Sequence, residues 1–197
     1  MCSNAITICI AEPGDAAEIL SVYAPYIRKT AITFEYEVPS VDSFRARMTD
    51  TMKRYPWLVA CRDGHVVGYA YTGAFIRRSA CDWAAETSIY IRMDCCGGGI
   101  GRLLYEAIEK VSRAQRITNL NACIAWPEIE DEYLTANSRF FHEHLGYRLV
   151  GEFHRCGYKF GRWYDLIWME KWIGAHEAAM LPMIPFPDLP KKETILI

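Results

Sequence analysis

At 197 residues, the chain is long enough for one domain with a core of its own. Hydrophobic residues make up 51% of it, the net charge is −2, and no basic run exceeds a pair, which argues against a nucleic-acid surface. No apolar segment approaches bilayer length, and the eight cysteines contain no Cys-x-x-Cys spacing. We therefore expect a cytoplasmic protein with reduced thiols that binds no metal, nucleic acid or membrane.

The first half of the chain predicts a strand, two helices and a hairpin. The strand covers residues 6–11, and the first helix runs to about residue 23. Pro25 and mixed polarity then predict an irregular loop over residues 24–39. Ser40 is the predicted cap of a second helix with Val41, Phe44, Met48 and Met52 on its inner face. Residues 57–62 and 65–74 flank an Asp-Gly turn, which predicts a hairpin.

The second half predicts four strands and two helices. Strands are expected at residues 83–91, 120–126, 147–153 and 164–171, and helices at 101–114 and 135–145. The apolar positions of the helix at 101–114 follow helical spacing: Leu103, Leu104, Ala107, Ile108 and Val111.

After residue 173 the pattern stops, so residues 1–173 are the predicted domain and residues 174–197 a proline-rich tail. Pro182, Pro185, Pro187 and Pro190 favour an unstructured tail over a short helix at 174–180. The alternative is that the apolar tail residues pack on a partner subunit: Ile184, Phe186, Leu189, Ile195 and Leu196.

A glycine-rich loop between a strand and an amphipathic helix is the most informative feature. Its residues are Gly97, Gly98, Gly99, Ile100, Gly101 and Arg102. Backbone N–H groups crowd together where side chains are absent, and the helix N-terminus adds its positive dipole end, which suits a phosphate or pyrophosphate. The lysine and hydroxyl of a P-loop are missing, and so is the third glycine of a dinucleotide fingerprint.

The loop resembles the pyrophosphate loop of the GNAT acetyltransferases, Arg/Gln-x-x-Gly-x-Gly/Ala, with Cys96 at the first position. Further segments resemble the phosphinothricin acetyltransferase branch of that family, above all the run Gly-Tyr-Lys-Phe-Gly-Arg-Trp at residues 157–163 and Glu-Thr-Ser-Ile-Tyr-Ile at 86–91. The resemblance covers about residues 5–173. It implies an α/β fold, the GNAT fold, with a mixed, mostly antiparallel sheet flanked by helices.

The resemblance implies acetyl-CoA as co-substrate, bound by the glycine loop. It assigns backbone amides of Ile89, Tyr90 and Ile91 to the thioester carbonyl and the pantetheine arm. The family's coenzyme-binding asparagine falls on Thr135, and Asn137 is the alternative because residues 128–132 form an acidic insert. Arg102 is either a phosphate contact or an ordinary surface arginine.

Two residues carry the chemistry that the resemblance implies. Glu86 corresponds to the proposed general base, and its apolar neighbours favour a raised pKa, which suits a base near neutral pH. The alternative is a solvated strand carboxylate. His142 stands where most GNAT enzymes place a tyrosine that protonates the thiolate, and an imidazole can donate that proton. Its alternative is a helix-surface histidine.

The acceptor positions implied by the resemblance are Phe34, Tyr71, Arg78 and Lys159. Arg78 is the predicted clamp for an acidic group, because a guanidinium binds carboxylates in a fork. Ordinary core packing is the alternative for the two aromatic residues. The expected reaction is N-acetylation of a small amino acid or analogue by a homodimer. The alternatives are a GNAT that modifies a protein N-terminus or a polyamine, and a non-catalytic acyl-CoA-binding regulator.

Overall fold

The computed structural model describes residues 5–190 and residue 192. In this part of the chain, seven strands form one sheet in the order β1-β2-β3-β4-β5-β7-β6. They are Thr7–Ile10 (β1), Trp57–Arg62 (β2), His65–Ala74 (β3), Ala84–Ile91 (β4), Asn119–Trp126 (β5), Arg148–Lys159 (β6) and Arg162–Trp172 (β7). The α-helices are Ala16–Lys29 (α1), Val41–Met52 (α2), Ile100–Ala114 (α3) and Asn137–His144 (α4). Every neighbouring pair of strands is antiparallel except β4 and β5, so the predicted mixed, mostly antiparallel sheet is confirmed.

Helices cover both faces of the sheet because successive strand side chains point to opposite sides. On one face, α1 and α2 bury residues such as Phe44, whose ring lies edge-on to Trp57 at 5.9 Å between centroids. On the other face, α3 buries Leu104 against the sheet residue Leu120. Leu103, predicted to share this apolar face, is 40% exposed instead.

Helix α1 is longer than predicted, because it continues through Pro25 to Lys29. A proline inside a helix costs about 3 kcal/mol, since one hydrogen bond is lost and the ring crowds the preceding turn. Tyr26 and Ile27 lie beyond the proline and are both buried, so burial of this face offsets the cost. The irregular segment is therefore residues 30–40 instead of 24–39. Ser40 caps α2 as predicted, accepting the N–H of Ser43 at 3.1 Å.

The last two strands extend beyond their predicted ends. The predicted strands at 147–153 and 164–171 become one hairpin whose tip is Phe160 and Gly161, both in the left-handed region. The run at 157–163 therefore forms the end of this hairpin. The hairpin of β2 and β3 has its predicted bounds, with Asp63 and Gly64 in the turn.

The tail up to residue 190 is irregular in backbone but is not detached, which contradicts the expectation of an unstructured segment. Phe186 and Leu189 are buried against Val111 of α3. The N–H of Phe186 donates to the carbonyl of Arg54 at 2.9 Å. Because this chain covers Phe186 and Leu189 itself, they do not serve a partner subunit, and Ile195 and Leu196 lie outside the described residues.

The seven cysteines within the described residues are free thiols. Within the same ranges, no helix combines the length and apolarity needed to cross a bilayer.

Candidate active site

The parallel strands β4 and β5 separate after three paired positions. Ala84, Ala85 and Glu86 have partners in β5, and the strands diverge beyond them. The hydroxyl of Thr87 donates to the carbonyl of Asn121 at 3.1 Å and closes the narrow end of the fork. A crevice of about 60 Å³ opens between the strands.

The backbone of β4 alternates between its neighbour β3 and this opening. The N–H of Arg92 donates to Val67 at 2.8 Å, so every second residue of β4 from Arg92 backwards is bonded to β3. The N–H groups of Ile89 and Ile91 therefore face the opening. That of Tyr90 faces β3, which contradicts its predicted role as a free donor. The carbonyl of Ile91 accepts the hydroxyl of Tyr26 at 2.5 Å.

The glycine loop presents its backbone N–H groups without internal partners. Gly97 and Gly99 have positive φ angles of 82° and 77°. Among the described residues, none accepts a hydrogen bond from the amides of residues 97–102. At Gly101 an added Cβ would lie 2.9 Å from the ring of Phe141 on α4, so a side chain there would have to displace that ring. The loop therefore offers six unpaired donors at the N-terminus of α3, as an anion requires.

Arg102 is already paired. Its Nε donates to Glu106 at 2.7 Å, one helical turn later, and this carboxylate raises the pKa of the guanidinium. Of the two alternatives for Arg102, the pair favours a surface arginine.

Glu86 stands at the point where the fork opens. Register places it on the face of α1 and α2, together with Tyr71 of β3 and Cys123 of β5. Burial raises the pKa of its carboxyl, which has no hydrogen-bond partner among the described residues. Burial, with a smaller effect from the charge of Glu86, raises the pKa of the Cys123 thiol to about 12, so this neighbour stays a neutral thiol.

His142 is buried on α4 with both ring nitrogens bonded. Nδ1 lies 2.7 Å from the carbonyl of Ser138, and Nε2 lies 2.7 Å from the hydroxyl of Tyr105. A carbonyl only accepts, so Nδ1 carries the proton and Nε2 accepts from Tyr105. Burial lowers the pKa of His142 to about 4, so the ring is neutral near pH 7. In this arrangement the one N–H of His142 is engaged by the carbonyl of Ser138, and direct proton donation by His142 to the thiolate stays a prediction.

Thr135 and Asn137, the alternatives for the coenzyme-binding asparagine, are both exposed. Neither makes a side-chain hydrogen bond to a described residue, and Asn137 is the first residue of α4. The acidic insert before them has a structural use: Glu130 accepts the N–H of Ala136 at 2.7 Å, and Asp131 accepts the hydroxyl of Tyr164 at 2.9 Å. These carboxylates therefore stabilise the segment that leads into α4.

The four predicted acceptor residues do not form one cluster. Lys159 is buried and donates to the carbonyl of Thr33 at 2.7 Å, next to Phe34. Burial lowers the pKa of its ammonium. Tyr71 stacks on Trp57 with 4.1 Å between ring centroids.

Arg78 is exposed in a separate groove of about 440 Å³ beyond the C-terminal part of β3. Three more cations line this groove, and two of them are paired: Lys53 with Asp50 and Arg54 with Asp82, each at 3.0 Å, which leaves Arg77 and Arg78 as the excess charge. Gly73, the register partner of Glu86, forms part of its wall. The groove is thus basic and adjoins the Glu86 position along the sheet.

Sequence reasoning missed Tyr105, which lines the crevice from α3 and bonds His142. Its place in the apolar stripe of α3 makes it look like a core residue. Outside the crevice, ligand atoms of Glu152, His154 and Asp165 lie within 4.8 Å of one another. Asp165 already accepts the N–H of Arg155 at 2.6 Å.

Comparisons with known proteins agree with this geometry. The profile of the acetyltransferase (GNAT) domain matches residues 8–168. Phosphinothricin N-acetyltransferase of Streptomyces viridochromogenes is 31% identical over 156 residues, which cover 79% of this chain and 81% of the relative. L-methionine sulfoximine/L-methionine sulfone acetyltransferase of Pseudomonas aeruginosa is 33% identical over 160 residues, which cover 80% and 88%.

Among solved structures, a GNAT superfamily phosphinothricin acetyltransferase from Sinorhizobium meliloti in complex with AcCoA superimposes with a TM-score of 0.82. Sequence identity is 29%, and the match covers 93% of this chain and 96% of that one. The resemblance inferred from the motifs is confirmed.

Proposed function

The chain belongs to the acetyltransferase (GNAT) family, and from this premise we propose that it transfers the acetyl group of acetyl-CoA to the α-amino group of a small amino acid or analogue. Phosphinothricin and methionine sulfoximine represent the acceptor class, since similar proteins bear those names. Residues 1–173 form the catalytic domain in this proposal, and residues 174–197 are its tail.

One arrangement carries the proposal: a half-buried carboxylate of raised pKa stands where two parallel strands separate. The free N–H groups of Ile89 and Ile91 extend from that point towards the glycine loop. The fork suits a narrow pantetheine arm, and the six unpaired amides of residues 97–102 suit a pyrophosphate. The donors therefore match the chemistry of acetyl-CoA, which supplies the acetyl group as a thioester.

Glu86 acts as general base. It takes a proton from the acceptor's neutral amine, directly or through one water, as the nitrogen attacks the thioester carbonyl. A carbon–nitrogen bond forms, the carbon–sulfur bond breaks, and the coenzyme leaves as a thiolate. The N–H groups of Ile89 and Ile91 stabilise the carbonyl oxygen as it gains negative charge.

Tyr105 donates a hydrogen bond to the departing sulfur by turning its hydroxyl away from His142. His142 has the positioning role here, because its Nε2 holds that hydroxyl at the crevice between turnovers. This assignment replaces direct donation by the imidazole, whose N–H is engaged by Ser138.

Phe34, Tyr71 and Lys159 bound the acceptor on the face of α1 and α2, and Arg78 receives its acidic group from the adjoining basic groove. The excess of cations in that groove supports an acidic acceptor over a polyamine. Gly97, Gly98, Gly99, Ile100 and Gly101 hold the pyrophosphate through their amides, while Thr135, Asn137 and Arg102 contribute at most solvent-exposed contacts.

The enzyme acts in the cytoplasm as a homodimer, without metal, nucleic-acid or membrane partner. The described cysteines are free, which suits a reducing compartment. Leu149, Val150 and Phe153 of the edge strand β6 are 43%, 61% and 59% exposed, an apolar surface that a second copy would cover. Sedimentation of the wild-type chain and of Val150→Glu tests the dimer, since the charge should leave a monomer.

Acceptor-dependent turnover tests the function. The chain is incubated with acetyl-CoA and, separately, phosphinothricin, methionine sulfoximine, glutamate, spermidine and an alanine-initiated peptide. Acetylated products are quantified by mass spectrometry, because the chain's own eight cysteines react with thiol reagents. We expect turnover with the acidic amino acids. Preference for the peptide or for spermidine favours the other GNAT class, and binding of acetyl-CoA without any turnover identifies a regulator.

A further inference from the structure

We propose that Arg62 supplies the positive charge of the pyrophosphate site, in which Cys96 stands where the family pattern has Arg or Gln. The inference rests on the proposed function, because it takes the glycine loop to bind acetyl-CoA. Arg62 belongs to β2, more than thirty positions before the loop, and no motif points to it.

The side chain of Arg62 lies directly beneath the loop. Arg62 is the last residue of β2, and the turn after it shares one end of the sheet with the end of β4. Its Nη2 lies 3.9 Å from the position of a Cβ built on Gly98, and its Nη1 lies 3.9 Å from Sγ of Cys95. The guanidinium thus lies beside Cys95 and Gly98, at the start of the loop.

The charge of this guanidinium is not compensated. Within the described part of the chain, Arg62 forms no ion pair with a carboxylate, and its Nε is buried without a hydrogen-bond partner. The loop's other arginines differ: Arg92 bonds Asp94 at 2.7 and 3.1 Å, and Arg102 bonds Glu106. A buried donor without a partner is costly, and an anion in the loop removes that cost.

Cys96 does not supply the missing charge. Its exposed thiol contacts the carbonyl of Arg92 at 3.7 Å, and a thiol is a weak donor. A cation reaching in from β2 therefore complements the backbone amides, which bind an anion by dipoles alone. Arg62 and the loop together form the complete anion site.

The test compares Arg62→Ala, Arg62→Gln and Arg62→Lys with the wild type by calorimetric titration of acetyl-CoA. Loss of a charged phosphate contact should raise Kd about 10-fold to 100-fold in the Ala and Gln variants, with partial recovery in Lys. The control Arg92→Ala should bind as the wild type, since Asp94 neutralises that arginine. Adding Cys96→Arg to Arg62→Ala should recover most of the affinity, because it returns a cation to the same loop.

A second substrate separates a phosphate contact from a structural role. Turnover with S-acetyl-N-acetylcysteamine, a thioester without phosphates, should be unchanged in Arg62→Gln. The melting temperature of the free variant should be no lower than that of the wild type, because the substitution removes a buried donor without a partner. Wild-type Kd in Arg62→Gln overturns the proposal, and so does an equal loss with the phosphate-free thioester. A wild-type chain that does not bind acetyl-CoA refutes the proposed function itself.

Discussion

The ring of Phe34 occupies the space that a side chain at position 157 would need. A Cβ built on Gly157 would lie 2.1 Å from Cε2 and 2.2 Å from Cζ of Phe34. Two hydrogen bonds fix the same contact, from Lys159 to the carbonyl of Thr33 at 2.7 Å and from Tyr36 to the carbonyl of Tyr158 at 2.5 Å. The β6–β7 hairpin therefore holds the irregular segment at residues 30–40 in place.

Gly157→Ala should displace Phe34 and weaken acceptor binding. Overpacking of this kind costs about 1–3 kcal/mol, and the free energy of unfolding should fall by that amount. Gly151→Ala is the matched control on the same strand, because a Cβ there meets nothing within 4 Å. Chemical denaturation measures both variants. Combining Gly157→Ala with Phe34→Ala should cost less than the sum of the two, and strict additivity would contradict the contact.

Glu86→Gln should lower kcat about 100-fold to 10,000-fold, the usual contribution of a general base. Burial raises the pKa of Glu86, so wild-type kcat/KM should rise with pH through a midpoint above the ordinary value for glutamate. The variant should lose this rise while its Kd for acetyl-CoA stays unchanged. Glu177→Gln, an exposed carboxylate in the tail, serves as control. Wild-type kcat/KM in Glu86→Gln at every pH would exclude Glu86 as the base.

His142 should make the protein sensitive to mild acid. Its pKa is about 4 in the folded chain and 6.5 ordinarily, so the unfolded chain binds its proton first as pH falls. The contribution of the neutral ring to the free energy of unfolding is fully present above pH 6.5. It is lost as the pH falls from 6.5 to about 4, and the total loss is about 3 kcal/mol. Urea denaturation over this pH range should show that the free energy of unfolding falls more steeply in the wild type and in His144→Gln than in His142→Gln. Equal slopes in all three proteins would rule out a buried neutral ring.

Gly99→Asp should abolish acetyl-CoA binding, because it sets a negative charge among the amides that face the phosphates. In the wild type, acetyl-CoA should raise the melting temperature by mass action, and the variant should lose this shift. Gly161→Asp is matched in backbone, since both glycines have φ of 77°. Gly161→Asp introduces the same backbone strain at the β6–β7 turn, and acetyl-CoA should still raise its melting temperature. A persistent shift in Gly99→Asp would show that the coenzyme binds elsewhere.

Arg78→Ala should raise KM for an acidic acceptor about 10-fold to 100-fold, the value of one charge-assisted fork. KM for acetyl-CoA should not change. Steady-state kinetics with an acidic amino acid and with its carboxamide analogue measure the difference, and the carboxamide should lose far less. An equal penalty for both acceptors would assign Arg78 a structural role.

The sequence by itself determined the order of elements, the glycine loop before α3 and the family. These features rest on local rules: side-chain periodicity separates strands from helices, and Gly97 and Gly99 supply left-handed backbone. The local sequence also predicts the strand that contains Glu86, and this strand, β4, forms one side of the fork.

Tertiary structure decided what each of these side chains does. Whether a ring nitrogen donates depends on its neighbours, and His142 became an acceptor because Ser138 and Tyr105 surround it from α4 and α3. The helix through Pro25 and the docked tail depend on burial against distant residues, which no local propensity expresses. Arg62 reaches Gly98 only because the sheet brings the ends of β2 and β4 together, so its charge could be related to the loop only after folding placed them side by side.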